Sequence, residues 1–201
     1  MGACISGLGP QWKDTAKTPM KILIVGLNSA GKTTILYRLM LKEHIFTTPT
    51  LGYNSETFTP IAGSTFTMLD LGDWPKLRTR DWHHHHEAEG IAFVVDSADP
   101  GSMCDARDFL FKVLKLQGLP RGIPVVVFAN KQELSGACDI YQVLEKMELH
   151  SVYTNPWYLQ AASAANGEGL LEGIKELGQM IQRYRQRNTL KRRRSRGSRI
   201  Q

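Results

Sequence analysis

The chain has 201 residues, 42% of them hydrophobic and 22% charged, a composition that excludes wholesale disorder. No run of 18 apolar residues occurs, and three cysteines are too few for a disulfide framework, so we expect one domain in a reducing compartment. The net charge of +6 is unevenly placed. Nine of the 25 basic residues and no acidic residue lie in 183–199, which leaves 16 basic against 19 acidic side chains elsewhere.

The predicted elements alternate between short apolar runs and helical patterns from residue 21 onward. Buried strands are predicted at 21–25, 66–71, 91–95 and 124–128, and helices after Lys32 and over 101–117, 139–149 and 170–187. Strands without polar alternation, separated by helices, indicate a parallel sheet covered on both faces. Ligands of such α/β folds bind at the carboxyl ends of the strands.

Residues 26–33 match the phosphate-binding P-loop pattern in full, with Gly26, Gly31, Lys32 and Thr33 at the required spacing. The segment follows a predicted strand and opens a predicted helix, which is the context the motif needs. Its glycines let the backbone fold around phosphates, and its N–H groups and helix N-terminus favour an anion. Lys32 is expected to reach the β- and γ-phosphates and Thr33 to bind Mg²⁺. The sequence therefore predicts a nucleotide site.

Four further polar motifs also lie at the ends of predicted strands or beside predicted helices, where a ligand is expected. They are residues 49–54 after the first helix, Asp70 at the end of a strand, residues 130–133 after the strand at 124–128, and residues 163–165 before the last helix. With residues 26–34 and 94–97, these motifs make the chain from 20 to 182 resemble a small GTPase of the Arf/Arf-like (ADP-ribosylation factor) family.

The resemblance implies a P-loop α/β domain with a mostly parallel six-stranded sheet, helices on both faces, and bound GTP or GDP with Mg²⁺. The metal ligands would be Thr33, Thr50 and Asp70, with Thr50 also closing on the γ-phosphate. The side chain of Asn130 and the backbone N–H of Ala164 would bond guanine, and Lys131 would cover its ring. The full nucleotide set would be Gly26, Asn28, Ser29, Ala30, Gly31, Lys32, Thr33, Thr34, Thr50, Gly72, Asn130, Lys131, Glu133, Ser163 and Ala164.

The chain departs from the family pattern at the second switch. The family has Asp-x-Gly-Gly-Gln where this chain has Asp70-Leu-Gly-Asp-Trp74. Asp73 replaces the glycine whose N–H faces the γ-phosphate in the family. Trp74 replaces the glutamine that orients the attacking water, and it cannot take over this role because an indole accepts no hydrogen bond. We therefore assign no catalytic residue and predict very slow or absent GTP hydrolysis. The alternative is that this segment is displaced and plays no nucleotide role.

Three other features have milder consequences. Glu133 stands where the family has an Asp that accepts two hydrogen bonds from guanine, so we expect guanine preference at lower affinity. Asn28 replaces an Asp of the usual loop and loses no phosphate contact. The four histidines at 83–86 could bind Zn²⁺, although a solvated surface is the commoner role of such a run.

A leader at 1–19 and a basic end at 183–201 flank the predicted domain. The leader fits the N-myristoylation pattern with Gly2 as acceptor, and Cys4 could take palmitate. One myristoyl chain binds membranes only marginally, so the basic end would supply a second signal by attraction to anionic lipids. We expect the last helix to continue to about residue 190 and the chain from 191 to be disordered. Nuclear localisation and nucleic-acid binding are the less favoured uses of this basic end.

These patterns and the resemblance together favour a monomeric, lipid-anchored GTP-binding switch in vesicle-mediated or intracellular protein transport. It would work with a guanine-nucleotide exchange factor and effector proteins. It would be cytoplasmic and peripheral on the Golgi, another endomembrane or the plasma membrane, with a nuclear fraction left open by the basic end. Asp73 and Trp74 favour an alternative, a non-cycling nucleotide-binding scaffold that presents an interaction surface at a membrane.

Overall fold

The computed structural model describes residues 18–41, 53–61, 63–71 and 86–197. Six strands form one sheet in the order β2-β3-β1-β4-β5-β6. The strands are β1 (Met20–Gly26), β2 (Tyr53–Ile61), β3 (Ser64–Leu71), β4 (Gly90–Asp96), β5 (Val125–Asn130) and β6 (Trp157–Ala161). The β2–β3 pair is antiparallel and the other four pairings are parallel. The predicted P-loop α/β fold with a mostly parallel six-stranded sheet is thereby confirmed.

The helices lie on both faces of this sheet. They are α1 (Lys32–Leu41), α2 (Met103–Leu114), α3 (Ile140–Lys146) and α4 (Leu170–Gly197), with a short 3₁₀ turn at Leu149–Ser151. At the start of α3 the carboxylate of Asp139 accepts from the backbone N–H of Gln142, whose side chain accepts from the backbone N–H of Asp139, and this capping box stabilises the first turn. In the described ranges no helix combines the length and the apolar character needed to cross a membrane.

Two hydrophobic layers hold the helices on the sheet. The layer beneath α1 and α4 includes Leu36, Phe66, Phe128, Ile174 and Leu177. The layer beneath α2 and α3 includes Phe93, Leu110, Val113, Val127 and Val143. Because both faces are covered, β1, β4 and β5 are buried along almost their whole length.

The last helix is longer than the sequence suggests. Disorder is predicted from residue 191, but α4 continues to Gly197, so this prediction is wrong for residues 191–197. Lys and Arg are good helix formers, and neither Gly nor Pro interrupts the chain between Gly178 and Gly197. The basic residues at 191–194 therefore belong to a helical extension.

Candidate nucleotide-binding site

The strand register brings the predicted motifs to one edge of the sheet. Ile24 of β1 pairs with Asp70 of β3, and Gly26 at the end of β1 pairs with Val94 of β4. Asp96 at the end of β4 pairs with Asn130 at the end of β5. Motifs that are far apart in the sequence thus meet at the carboxyl ends of parallel strands, where α/β folds bind ligands.

The phosphate loop needs glycine at two positions. Gly26 has a φ of +156°, and a Cβ there would lie 2.3 Å from the carbonyl oxygen of Val94. Gly31 has a φ of +97°, and a Cβ there would lie 2.3 Å from Nδ2 of Asn130. Any side chain at either position would collide with a neighbouring strand or with the asparagine. The loop therefore packs directly against β4 and against the end of β5.

The ammonium group of Lys32 lies at the rim of this loop. The side chain is 8% exposed, and its Nζ donates to the carbonyl oxygens of Gly26 at 3.1 Å and Leu27 at 3.0 Å. α1 begins here, with the N–H of Ile35 donating to the carbonyl of Gly31 at 2.9 Å. The loop thus combines a nearly buried cation with a helix N-terminus, and both favour phosphate oxygens.

Thr33 and Asp70 form the polar contact beside the loop. Thr33 Oγ1 donates to Asp70 Oδ2 at 2.5 Å, and Asp70 is fully buried. A hydroxyl and a carboxylate are hard oxygen ligands, and Mg²⁺ is commonly held by one or two such groups plus phosphate oxygens and water. The donor set therefore fits Mg²⁺. In the described part of the chain no three His, Cys, Asp or Glu side chains are arranged as a metal cage.

Asn130 joins the two halves of the site. Its Nδ2 donates to the carbonyl oxygen of Ala30 at 2.7 Å, and its Oδ1 accepts from the backbone N–H of Ala164 at 2.9 Å. The side chain is 1% exposed. The resemblance assigns both Asn130 and the Ala164 N–H to guanine, and here they bond each other, while Nδ2 carries a second hydrogen that can still be donated.

A model of the ADP-ribosylation factor family matches residues 11–181. The chain belongs to this family. Among solved structures it is similar to the Arl6 (BBS3) small GTPase of Trypanosoma brucei with the bound nucleotide analogue GppNp. The two share 28% sequence identity and superpose with a TM-score of 0.74, over 83% of this chain and 99% of the Arl6 chain.

Lys131 of this Arf-family protein is held by Asp96, a residue for which the sequence predicts no role of its own. Its backbone has a φ of +68°, and its Nζ donates to Asp96 Oδ2 at 2.5 Å. Both side chains are partly buried, at 28% and 19% exposed. The ion pair restrains the aliphatic stem that is expected to cover the base. The sequence signals for Asp96 are its position at the end of a buried strand and its place in the 94–97 motif.

The loop that carries Ser163 and Ala164 is also tied to α1. Ser163 is 1% exposed, and its Oγ accepts from the N–H of Asn166 at 3.2 Å. Arg38 of α1 donates from Nη2 to the carbonyl of Asn166 at 2.7 Å. The helix that begins at the phosphate loop therefore also supports the loop on the base side, a contact that no local motif predicts.

Some of the remaining predicted site residues lie in the described part of the chain and others lie outside it. Asn28, Ser29 and Glu133 are exposed at the site edge, and Thr34 is partly buried on α1. His86 is exposed, with its Nδ1 3.1 Å from the carbonyl oxygen of Gly118. The predictions that lie outside the described residues concern Gly2, Cys4, Thr50, Gly72, Asp73, Trp74 and His83 to His85.

Proposed function

We propose that this Arf-family protein binds guanine nucleotides with Mg²⁺ and acts as a switch at membranes. The observation that carries the proposal is the buried bridge made by Asn130, which links Ala30 of the phosphate loop to Ala164 of the base-side loop. A site of this kind places a triphosphate and a base in a defined relation to each other. The Trypanosoma brucei Arl6 structure, with its nucleotide analogue GppNp, supports the assignment.

Each half of the site has a defined task in this proposal. Lys32 would exchange its carbonyl contacts for the β- and γ-phosphates, and the N–H groups at the start of α1 would bind the same anion. Thr33 and Asp70 would hold Mg²⁺, which neutralises phosphate charge when bound. On the base side, the stem of Lys131 would cover guanine, and Glu133 would accept from its edge.

GTP hydrolysis would be very slow or absent. Asp73 and Trp74 replace the glycine and glutamine of the family pattern. Asp73 restricts the backbone that turns an N–H toward the γ-phosphate and adds a carboxylate there, and the residue that orients water is lost. A carboxylate about 4 Å from a phosphate charge costs roughly 1 kcal/mol in water and a few times more in a protein site. The same two residues support the alternative of a scaffold that binds nucleotide without cycling.

The membrane part of the proposal depends on the two ends of the chain. Gly2 would carry myristate, Cys4 could carry palmitate, and the basic residues after 183 would attract anionic lipids. The protein would be cytoplasmic and peripheral on an endomembrane or the plasma membrane, and would act in vesicle-mediated transport. An exchange factor would load GTP, and effector proteins would bind the loaded state.

The test is a nucleotide titration of the full chain with fluorescent GDP, GTP and adenine analogues, with Mg²⁺ and with EDTA. Lys32→Ala removes the phosphate-loop cation, and Lys175→Ala, exposed on α4, is the matched control. Mg²⁺-dependent binding of both guanine nucleotides, lost only in Lys32→Ala, supports the switch. Binding of GDP alone favours the non-cycling scaffold and is the result expected if the carboxylate of Asp73 excludes the γ-phosphate. Absence of all binding refutes the nucleotide assignment.

A further inference from the structure

At the end of the sheet opposite the nucleotide site, where the parallel strands begin, the guanidinium of Arg185 joins the last helix to the segment before β4. Arg185 of α4 donates from Nε to Glu89 Oε1 at 2.6 Å and from Nη2 to Glu89 Oε2 at 2.5 Å. The same Nη2 lies 3.3 Å from the carbonyl oxygen of Pro19, just before β1. The residue that precedes β1 and the last helix are therefore in contact at this end of the domain.

The loop between α2 and β5 reaches the same end of the molecule. The hydroxyl of Tyr184 on α4 donates to the carbonyl oxygen of Arg121 at 3.4 Å. Asn155, in the loop before β6, donates from Nδ2 to the carbonyl of Ile123 at 2.9 Å. Two residues before Asn155 in the same loop, Tyr153 is 87% exposed. We call this surface the basic pole and define it by Lys112, Lys115, Arg121, Tyr153 and Arg187.

The basic pole has an excess of positive charge. Lys112, Lys115, Arg121 and Arg187 are exposed, and in the ranges that the structure describes none of them has an acidic side chain within ion-pair distance. The carboxylates of the segment that enters β4 are already matched, Glu87 by Lys21 and Glu89 by Arg185. The charge of this surface is thus available to a polyanionic partner.

The helical extension of α4 is rich in basic residues. From Arg185 to Gly197 the helix continues for about 18 Å, at the usual rise per residue. Five of its last residues are basic: Lys191, Arg192, Arg193, Arg194 and Arg196. Because Arg185 of α4 is paired with Glu89 at this end of the domain, the backbone of the extension leaves from the same end.

We propose that the basic pole docks on an anionic lipid surface. Charge complementarity argues for this partner, and so does Tyr153, since exposed tyrosines suit the interface between water and lipid. The sequence before β1 carries the myristoylation pattern at Gly2, which favours a membrane over a nucleic acid. In this orientation the nucleotide edge lies roughly 20 Å from the lipid, the length of a seven-residue strand, and faces the cytoplasm. The inference rests on the membrane part of the proposed function.

The test is cosedimentation of the full chain with vesicles of phosphatidylcholine alone and of phosphatidylcholine and phosphatidylserine in a three-to-one ratio. Lys115→Gln combined with Arg121→Gln neutralises two charges of the pole, and Lys175→Gln neutralises an exposed lysine elsewhere on α4. Each basic residue near an anionic leaflet strengthens binding by roughly fivefold, so the double variant should bind the serine-containing vesicles about 25-fold more weakly. The control should bind like the wild type.

The possible failures can be distinguished. If the double variant binds serine-containing vesicles within about twofold of the wild type, the folded domain does not dock and the inference is wrong. If the wild type shows no preference for these vesicles, the membrane part of the proposed function fails, while the nucleotide titration still tests the switch. If a DNA or RNA duplex competes the protein off the vesicles and the double variant loses duplex binding as well, the pole is a nucleic-acid surface. Circular dichroism and nucleotide affinity establish that each variant is folded.

Discussion

Replacing Asn130 by alanine removes the bridge between the two halves of the candidate site. The change leaves the carbonyl of Ala30 and the N–H of Ala164 without the partners that lie at 2.7 and 2.9 Å. Ala30 is 1% and Ala164 5% exposed, so water reaches neither group freely. Each unsatisfied buried group costs about 1–3 kcal/mol, so the two groups together should lower the free energy of unfolding by about 2–6 kcal/mol.

Asn130→Ala should also lower the affinity for guanine nucleotides. Because Asn130 also sets the distance between the phosphate loop and the base-side loop, its loss should weaken guanine-nucleotide binding by at least tenfold, equivalent to about 1.4 kcal/mol. The assays are urea unfolding of the nucleotide-free protein and titration with fluorescent GDP. Asn130→Asp sharpens the test: the carboxylate can still accept from Ala164, but it turns an oxygen toward the carbonyl oxygen of Ala30.

Asn155 provides a matched control at the opposite end of the sheet. It is 7% exposed, donates to the carbonyl of Ile123 at 2.9 Å and accepts from Thr154 Oγ1 at 2.7 Å. Asn155→Ala should therefore destabilise the fold and leave nucleotide affinity unchanged. Equal loss of affinity in Asn155→Ala and Asn130→Ala would refute the reasoning, because it would show that lowered stability alone accounts for weaker binding.

Three further changes test other parts of the molecule. Asp73→Gly combined with Trp74→Gln should raise single-turnover GTP hydrolysis at least about tenfold, since it removes a carboxylate beside the γ-phosphate, frees the backbone N–H to face that phosphate and supplies a side chain that orients water. Glu89→Gln should lower the free energy of unfolding in urea by about 1–2 kcal/mol, because it leaves the partly buried guanidinium of Arg185 without its carboxylate. Ser97→Ala should leave stability unchanged or raise it by up to about 1 kcal/mol, since the buried Oγ has no hydrogen-bond partner among the described atoms.

For each of these three predictions, one experimental result would contradict it. Hydrolysis that stays at the wild-type rate in the double switch variant would mean that other parts of the site also prevent the reaction. A cost below about 0.5 kcal/mol for Glu89→Gln would place the ion pair among ordinary surface pairs. A cost above about 1 kcal/mol for Ser97→Ala would indicate that its hydroxyl binds a buried water.

The central strands were predictable because burial on both faces leaves an unbroken apolar run. β1, β4 and β5 show this pattern, and the predicted runs fall within or overlap the strands of the structure. The edge strands β2 and β6 have no such run, since they pair on one side only and contain residues such as Glu56 and Gln160. Their existence followed only from the family resemblance, and their register is a property of the assembled sheet.

In the candidate site, too, some features were predictable from the sequence and others depend on the folded structure. The P-loop is recognisable because its spacing reflects backbone geometry within eight consecutive residues. The supporting contacts join residues far apart in the chain: Lys131 and Asp96 are 35 positions apart, and Arg38 and Asn166 are 128. No local pattern encodes such pairs, because they depend on which strand ends lie side by side.

The sequence by itself determined the class of fold, the phosphate loop and the separation of charge between the domain and its basic end. These properties can be read from the sequence because they depend on which residues follow one another along the chain and on the spacing within short motifs. The tertiary structure alone decided that Asn130 bonds both Ala30 and Ala164, and that Glu89 joins Arg185 beside Pro19. Strand register and helix packing set these contacts, since only folding brings the distant partners within hydrogen-bond distance.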